Sequence, residues 1–127
     1  MLLKKIILRN SEGFHAEMIN WAGVQQIESE VFDGKDSLFD LIESLLVVHE
    51  DHNISKENRN MLDQVRGLGK PAHLVDINAT LTATCASVKF WLENNKPNNV
   101  LIIGNDKLTQ NSRLEEYLAK QAQVLSE

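Results

Sequence analysis

The residues best suited to chemistry stand where apolar runs stop. Residues 45–49, 72–77 and 100–103 are short runs dominated by Leu, Val and Ile, and they break off into Glu50-Asp51-His52-Asn53, Asn78 and Gly104-Asn105-Asp106. Buried parallel strands end in this way at the carboxyl edge of an open α/β sheet, the edge where such folds bind ligands. An earlier run, Ile6-Ile7-Leu8, opens into Asn10-Ser11-Glu12-Gly13. Backbone N–H groups there, with the positive end of a following helix, could face an anion. A phosphate loop needs several glycines for close backbone approach, whereas only Gly13 is present and Glu12 would repel a phosphate. A plain turn and helix cap is the competing reading.

His49-Glu50-Asp51-His52 has the letters of a metal site without the geometry. On a strand His49 and Glu50 point to opposite faces, and the helical His-Glu-x-x-His spacing is absent, so no metal is expected. A carboxylate beside an imidazole does suit acid–base work, which keeps Glu50, Asp51 and His52 among the candidates. Asp76 lies in an apolar run two residues before Asn78. An acid there either faces the ligand or accepts hydrogen bonds from the next turn. Cys85 falls on an apolar helical stripe and reads as core; Trp21, Phe90 and Trp91 read as packing or interface residues. The expected ligand-binding set is Asn10, Ser11, Gly13, Glu50, Asp51, His52, Ser55, Asp76, Asn78, Gly104 and Asn105, with the loop side chains sharing one depression. No complete catalytic set is visible, and no cofactor is assigned.

The elements that must carry these residues are set by periodicity. Phe14, Met18, Ile19 and Ala22 recur at helical spacing up to Gly23, which suits the left-handed residue after a helix. Residues 26–32 alternate like a half-exposed strand near a sheet edge. Asp36 or Ser37 can cap a short helix through Leu38, Phe39, Leu41 and Ile42. Ser55, with Asn58, opens a helix bearing Met61, Leu62, Val65 and Leu68 that ends at Gly67-Leu68-Gly69. Asn78 or Thr80 caps a longer one carrying Leu81, Cys85, Val88, Trp91 and Leu92, closed by Pro97, and residues 113–125 form the last, with Leu114, Tyr117, Leu118 and Leu125 inward. Strands alternating with helices over short connections select a doubly wound, Rossmann-like five-stranded parallel sheet with right-handed crossovers and helices on both faces. Residues 1–127 are expected to form a single α/β domain.

Composition narrows the function. The chain has 127 residues, 43% of them hydrophobic, enough for a core without staples. A net charge of -5, with Lys4-Lys5 the only basic doublet, argues against a nucleic-acid partner. One cysteine cannot form an internal disulfide, and the N-terminal apolar run is too short for a signal peptide or a membrane span, so a soluble cytoplasmic protein without a membrane partner is expected.

The motifs Glu43-Ser44-Leu45-Leu46-Val47-Val48, Leu68-Gly69-Lys70-Pro71, Val75-Asp76-Ile77-Asn78, Phe90-Trp91-Leu92 and Val100-Leu101-Ile102-Ile103-Gly104 resemble the molybdenum carrier family, Rossmannoid proteins related to the SLOG and lysine-decarboxylase-like group. The resemblance covers about two-thirds of the chain. It departs at the glycine-rich first loop, reduced here to Gly13, at the loop after the third strand, here His52-Asn53-Ile54-Ser55, and at Asn105-Asp106 after Gly104, so the chain resembles a degenerate member. The resemblance implies the fold, a nucleotide-like, phosphorylated or oxyanion ligand, and a homo-oligomer, for which a dimer is the commonest form. A protein-interaction domain that has lost its ligand is the alternative, and a nucleotide-processing hydrolase using Glu50 or Asp51 ranks third.

Overall fold

The computed structural model describes residues 2–34 and 37–127. Five strands, β1 (Lys5–Leu8), β2 (Glu28–Val31), β3 (Ser44–His49), β4 (Ala72–Asp76) and β5 (Asn99–Gly104), form one all-parallel sheet in the order β2-β1-β5-β3-β4. Between and after them lie α1 (Phe14–Val24), α2 (Leu38–Leu41), α3 (Lys56–Gly67), α4 (Leu81–Asn95), a 3-10 segment (Asp106–Gln110) and α5 (Arg113–Leu125). The doubly wound parallel architecture expected from the alternation of elements is the one observed.

The period of two along each strand builds two cores. Ile6, Leu8, Leu46, Val48, Val75, Val100 and Ile102 face one way and bury against α1, α4 and α5 through Phe14, Met18, Cys85, Leu92, Leu114 and Tyr117. Ile7, Leu45, Val47, Leu101 and Ile103 face the other way, against Leu38 and Ile42 around α2 and Leu62 and Val65 of α3. All six residues of β3 are buried because both neighbours and both helical layers cover it. β2 is the opposite case, with all four residues exposed at the sheet edge, where Glu28 and Glu30 pair with Lys5 at 3.6 and 3.0 Å.

Turn chemistry sets both ends of α3. Ser55 accepts a hydrogen bond from the Asn58 amide at 3.1 Å as the cap of α3. The same helix closes with Gly69 at φ 75° and Lys70 N–H donating to the Val65 carbonyl at 3.2 Å, a left-handed C-terminal seal. Ser37 precedes α2 and Thr80 precedes α4, in both cases without a side-chain cap; Asp36, the alternative cap for α2, lies outside the described residues. Gly23 does not end α1. The helix runs on through Val24, and the left-handed residue is Gln26 at φ 60°, because the turn into Ile27 closes one step later, with Ile27 N–H on the Ala22 carbonyl at 2.8 Å. Trp21 and Cys85 are core residues, whereas Phe90 is 67% exposed.

Candidate functional site

Strand order determines where a crevice opens. From β1 the chain crosses through α1 to β2 on one face, and from β3 it crosses through α3 to β4 on the other, so the loops after β1 and β3 diverge on either side of β5. A cleft of about 880 Å³ lies at that carboxyl edge, lined among others by Arg9, His15, Glu50, Asn58, Asn105 and Asp106.

Arg9 follows the last buried residue of β1. Its guanidinium donates to Glu57 Oε1 at 2.9 Å and to the Asn58 side-chain oxygen, while its Nε is buried without a protein partner. Asn105 ties the end of β5 to the loop after β3. Its Nδ2 donates to the Asn53 carbonyl at 2.9 Å, and its Oδ1 accepts from Ser55 N at 3.3 Å and Asn58 Nδ2 at 3.1 Å. Those bonds fix the far wall of the cleft.

The near wall is the first turn of α1. Gly13 precedes it at φ 54° and ψ -126°, a conformation that side chains resist, and a Cβ there would stand 2.4 Å from Asp106 Oδ1. The absence of a side chain lets the Asp106 carboxylate reach the start of the helix, where Oδ1 accepts from Phe14 N at 3.4 Å. A carboxylate is the natural occupant of a helix N-terminus. Gly104 serves the same closure, since a Cβ there would meet Leu108 Cδ1 at 2.7 Å and Phe14 Cε2 at 2.8 Å.

His15, in that same turn, is 3% exposed, lines the cleft, and has both ring nitrogens buried without a hydrogen-bond partner among the described residues. Burial foremost, and then the Arg9 charge, push its pKa below the ordinary histidine value; Asp106, the Glu12 carbonyl and Glu57 oppose this weakly. The Glu12 carbonyl lies near the ring without hydrogen-bond geometry to either nitrogen. His15 is therefore a neutral imidazole at pH 7, with one donor and one acceptor.

The candidate residues named from the sequence all fall at the carboxyl edge but not in one depression. Asn10, Glu50, Ser55, Gly104 and Asn105 line the cleft, as does Lys107. Ser11, Gly13, Asp51 and Asn78 do not, and His52 and Asp76 line a separate depression of about 320 Å³ between β4 and α4, with His49, His73 and Ser87. For Asp76 the reason is the strand order, since β3 separates β4 from the crevice; His52, in the loop after β3, stands on that side through its left-handed backbone and its stacking on His49.

Between the two depressions the polar residues bind one another. Asp76 Oδ1 accepts from Asp51 N at 3.2 Å and Asn78 N at 2.9 Å, Asn78 Nδ2 donates to Asp51 Oδ2 at 2.8 Å, and Asn111 Nδ2 donates to Glu50 Oε2 at 2.7 Å. This network holds Asp51 and His52 at φ 52° and 65°, two successive left-handed residues. His52 N also donates to His49 Nδ1 at 3.0 Å, and the two rings stack at 4.9 Å. Among the described residues no three His, Cys, Asp or Glu side chains are placed to hold a metal ion.

Arg9, His15, Asn58 and Asp106 are cleft residues absent from the set expected on sequence grounds. Arg9 carries a legible signal, a cation directly after a buried run at the ligand edge. His15 carries a weaker one, a polar residue in the first turn after the loop. The position of Asn58 signals only a partner in capping; Asp106 is marked locally as part of the polar break after the last apolar run, but its contact with the start of α1 spans 92 positions.

No family model matches this chain, and no curated protein matches it. Among solved structures the chain is similar to a putative molybdenum carrier protein from Syntrophus aciditrophicus SB, with a TM-score of 0.75, 10% sequence identity, and coverage of 98% of this chain and 95% of that one. At that identity the likeness establishes a shared Rossmann-like α/β fold across nearly the whole of both chains.

Proposed function

We propose that this protein is a binding module for a small nucleotide-like ligand, held in the cleft at the carboxyl ends of β1, β5 and β3, and that it is a distant, degenerate relative of the molybdenum carrier proteins. One observation carries the reading: the crevice at the reversal of strand order contains buried polar nitrogens, both of His15 and Nε of Arg9, with no partner among the described residues. Buried polar atoms without partners are rare in folded proteins, and a ligand or water satisfies them. The motif resemblance and the similarity of fold over 98% of the chain support the relationship. No helix among the described residues is long and apolar enough to cross a membrane. We assign the protein to the cytoplasm, as a single-domain subunit of a homodimer.

Catalysis receives less support. The carboxylates suited to hydrolysis are engaged, Glu50 by Asn111 and Asp51 by Asn78, and only Glu50 reaches the cleft. The reading as an interaction domain that has lost its ligand rests on a specific observation, the closure of the loops upon one another by Asn105 and Asp106.

Thermal unfolding with adenosine, adenosine monophosphate, inorganic phosphate and sodium molybdate separates these readings. A ligand at tenfold excess over its Kd adds about 1.4 kcal/mol, roughly 5 °C for a chain of this size. A shift of that order with any of these probes, lost in Arg9→Met, supports binding in the cleft. No shift with any of them favours the interaction domain.

A further inference from the structure

The chemistry of the cleft walls restricts the ligand further than the fold does. The α1 N-terminus, where an α/β protein would seat a phosphate, is already taken by the Asp106 carboxylate, brought in through the missing side chain of Gly13. The charged residues lining the cleft are two cations, Arg9 and Lys107, against three carboxylates, Glu50, Glu57 and Asp106. Arg9 is moreover committed to Glu57 at 2.9 Å. The remaining groups are uncharged and capable of both donating and accepting: His15, 3% exposed with both ring nitrogens unpartnered among the described residues, and the amide or hydroxyl groups of Asn10, Asn53 and Ser55; the Asn58 amide is held by Arg9 and Asn105.

Resting on the reading of the cleft as a small-ligand site, we propose that it takes an uncharged, nucleoside-class ligand and rejects the phosphorylated form, with His15 as the recognition group and Asp106 as the residue that sets the specificity. A neutral imidazole donates from one ring nitrogen and accepts at the other, in divergent directions, so it is satisfied by a ligand that carries separate donors and acceptors, as the base and ribose hydroxyls of a nucleoside do. A phosphate entering the same cleft approaches Asp106 where a like charge already sits, and closely opposed like charges are strongly unfavourable.

Titration calorimetry of the full chain tests this with adenosine, guanosine, cytidine and uridine, each against its 5′-monophosphate, and with inorganic phosphate. The expected result is at least one nucleoside bound roughly tenfold or more tighter than its monophosphate. Asp106→Asn retains an acceptor for Phe14 N and removes the charge, so it should raise monophosphate affinity relative to that of the nucleoside, collapsing the preference. His15→Phe should weaken the nucleoside roughly tenfold, the expected consequence of losing a buried hydrogen-bonding partner.

Proton NMR of His15 supplies a readout that a merely structural role would not move. The charged groups around the ring are Arg9 directly after β1, Asp106 in the 3-10 segment and Glu57 on α3. A nucleoside that pairs with the neutral ring lowers the His15 pKa on binding, whereas an anion raises it. Monophosphate or phosphate bound as tightly as the nucleoside, or a raised His15 pKa on binding, overturns the proposal while leaving the cleft as a ligand site. Binding of none of these probes overturns the nucleotide-like reading itself.

Discussion

Replacing Gly13 by Ala should destabilise the protein by more than its position in a loop suggests. The backbone at φ 54° and ψ -126° strains a side-chain-bearing residue by about 1–3 kcal/mol. The new Cβ would lie 2.4 Å from Asp106 Oδ1 and 2.8 Å from its Cγ, so the carboxylate must swing away and give up the Phe14 N–H and the helix end. Loss of a cap of this kind costs about 1 kcal/mol, for a total near 2–4 kcal/mol. Asp106→Ala alone should cost only about 0.5–1 kcal/mol, because the bond it loses is long. In the double variant the cap is lost once and the Cβ meets no carboxylate, so the combined loss should fall short of the sum by about 1 kcal/mol. Urea unfolding followed by circular dichroism measures all three. Gly23→Ala is the control of opposite sign: it sits inside α1 with nothing within 4 Å of its Cβ, and should stabilise by about 0.5–1 kcal/mol. A Gly13→Ala protein within about 0.5 kcal/mol of the parent, or strict additivity with Asp106→Ala, would refute the contact between the loop and Asp106.

Stability should fall as pH is lowered through about 6.5, the histidine value of the unfolded chain. Burial depresses the pKa values of His15, His49 and His73 in the folded state, so below 6.5 the unfolded chain binds more protons than the native one. Urea midpoints measured between pH 8 and 5.5 should decline, and His15→Gln should flatten part of the slope; an unchanged midpoint contradicts the burial argument. Asn105→Ala removes three hydrogen bonds and should cost about 1–3 kcal/mol, with faster amide exchange at Ser55 and Asn58; exchange rates equal to the parent's would deny it the tethering role. Cys85 is buried, and desolvation pushes its thiol up to about 11, so thiol reagents at pH 8 should label it only as fast as the protein unfolds. Immediate labelling of the native protein would place it at the surface.

Strands were the most legible part of the sequence because parallel strands buried on both faces read as unbroken apolar runs, as β3 and β5 do. The alternation of residues 26–32 marked β2 correctly as an edge strand, but it suggested a half-exposed one, whereas all four residues of β2 are exposed. Gly23 misled because a glycine often comes directly after a helix, but the closing contact of Ile27 on Ala22 lies further along. The site was legible as an edge and not as a cavity. Loop composition identifies the carboxyl ends, but which loops share a crevice depends on the order β2-β1-β5-β3-β4, a non-local property that sent Asp76 to a second depression. The filling of the α1 N-terminus by Asp106 could not be read locally either, since Gly13 looks the same whether it admits a phosphate or the chain's own carboxylate.

Mapping backbone amide shifts of the labelled full chain during titration with adenosine tests the location of the site most directly. Saturable shifts are expected at Arg9, Asn10, His15, Ser55 and Asn105, around the cleft where the strand order reverses. Shifts confined to His52, His73, Asp76 and Ser87 would move the site to the depression between β4 and α4 and rule out the cleft as the ligand site.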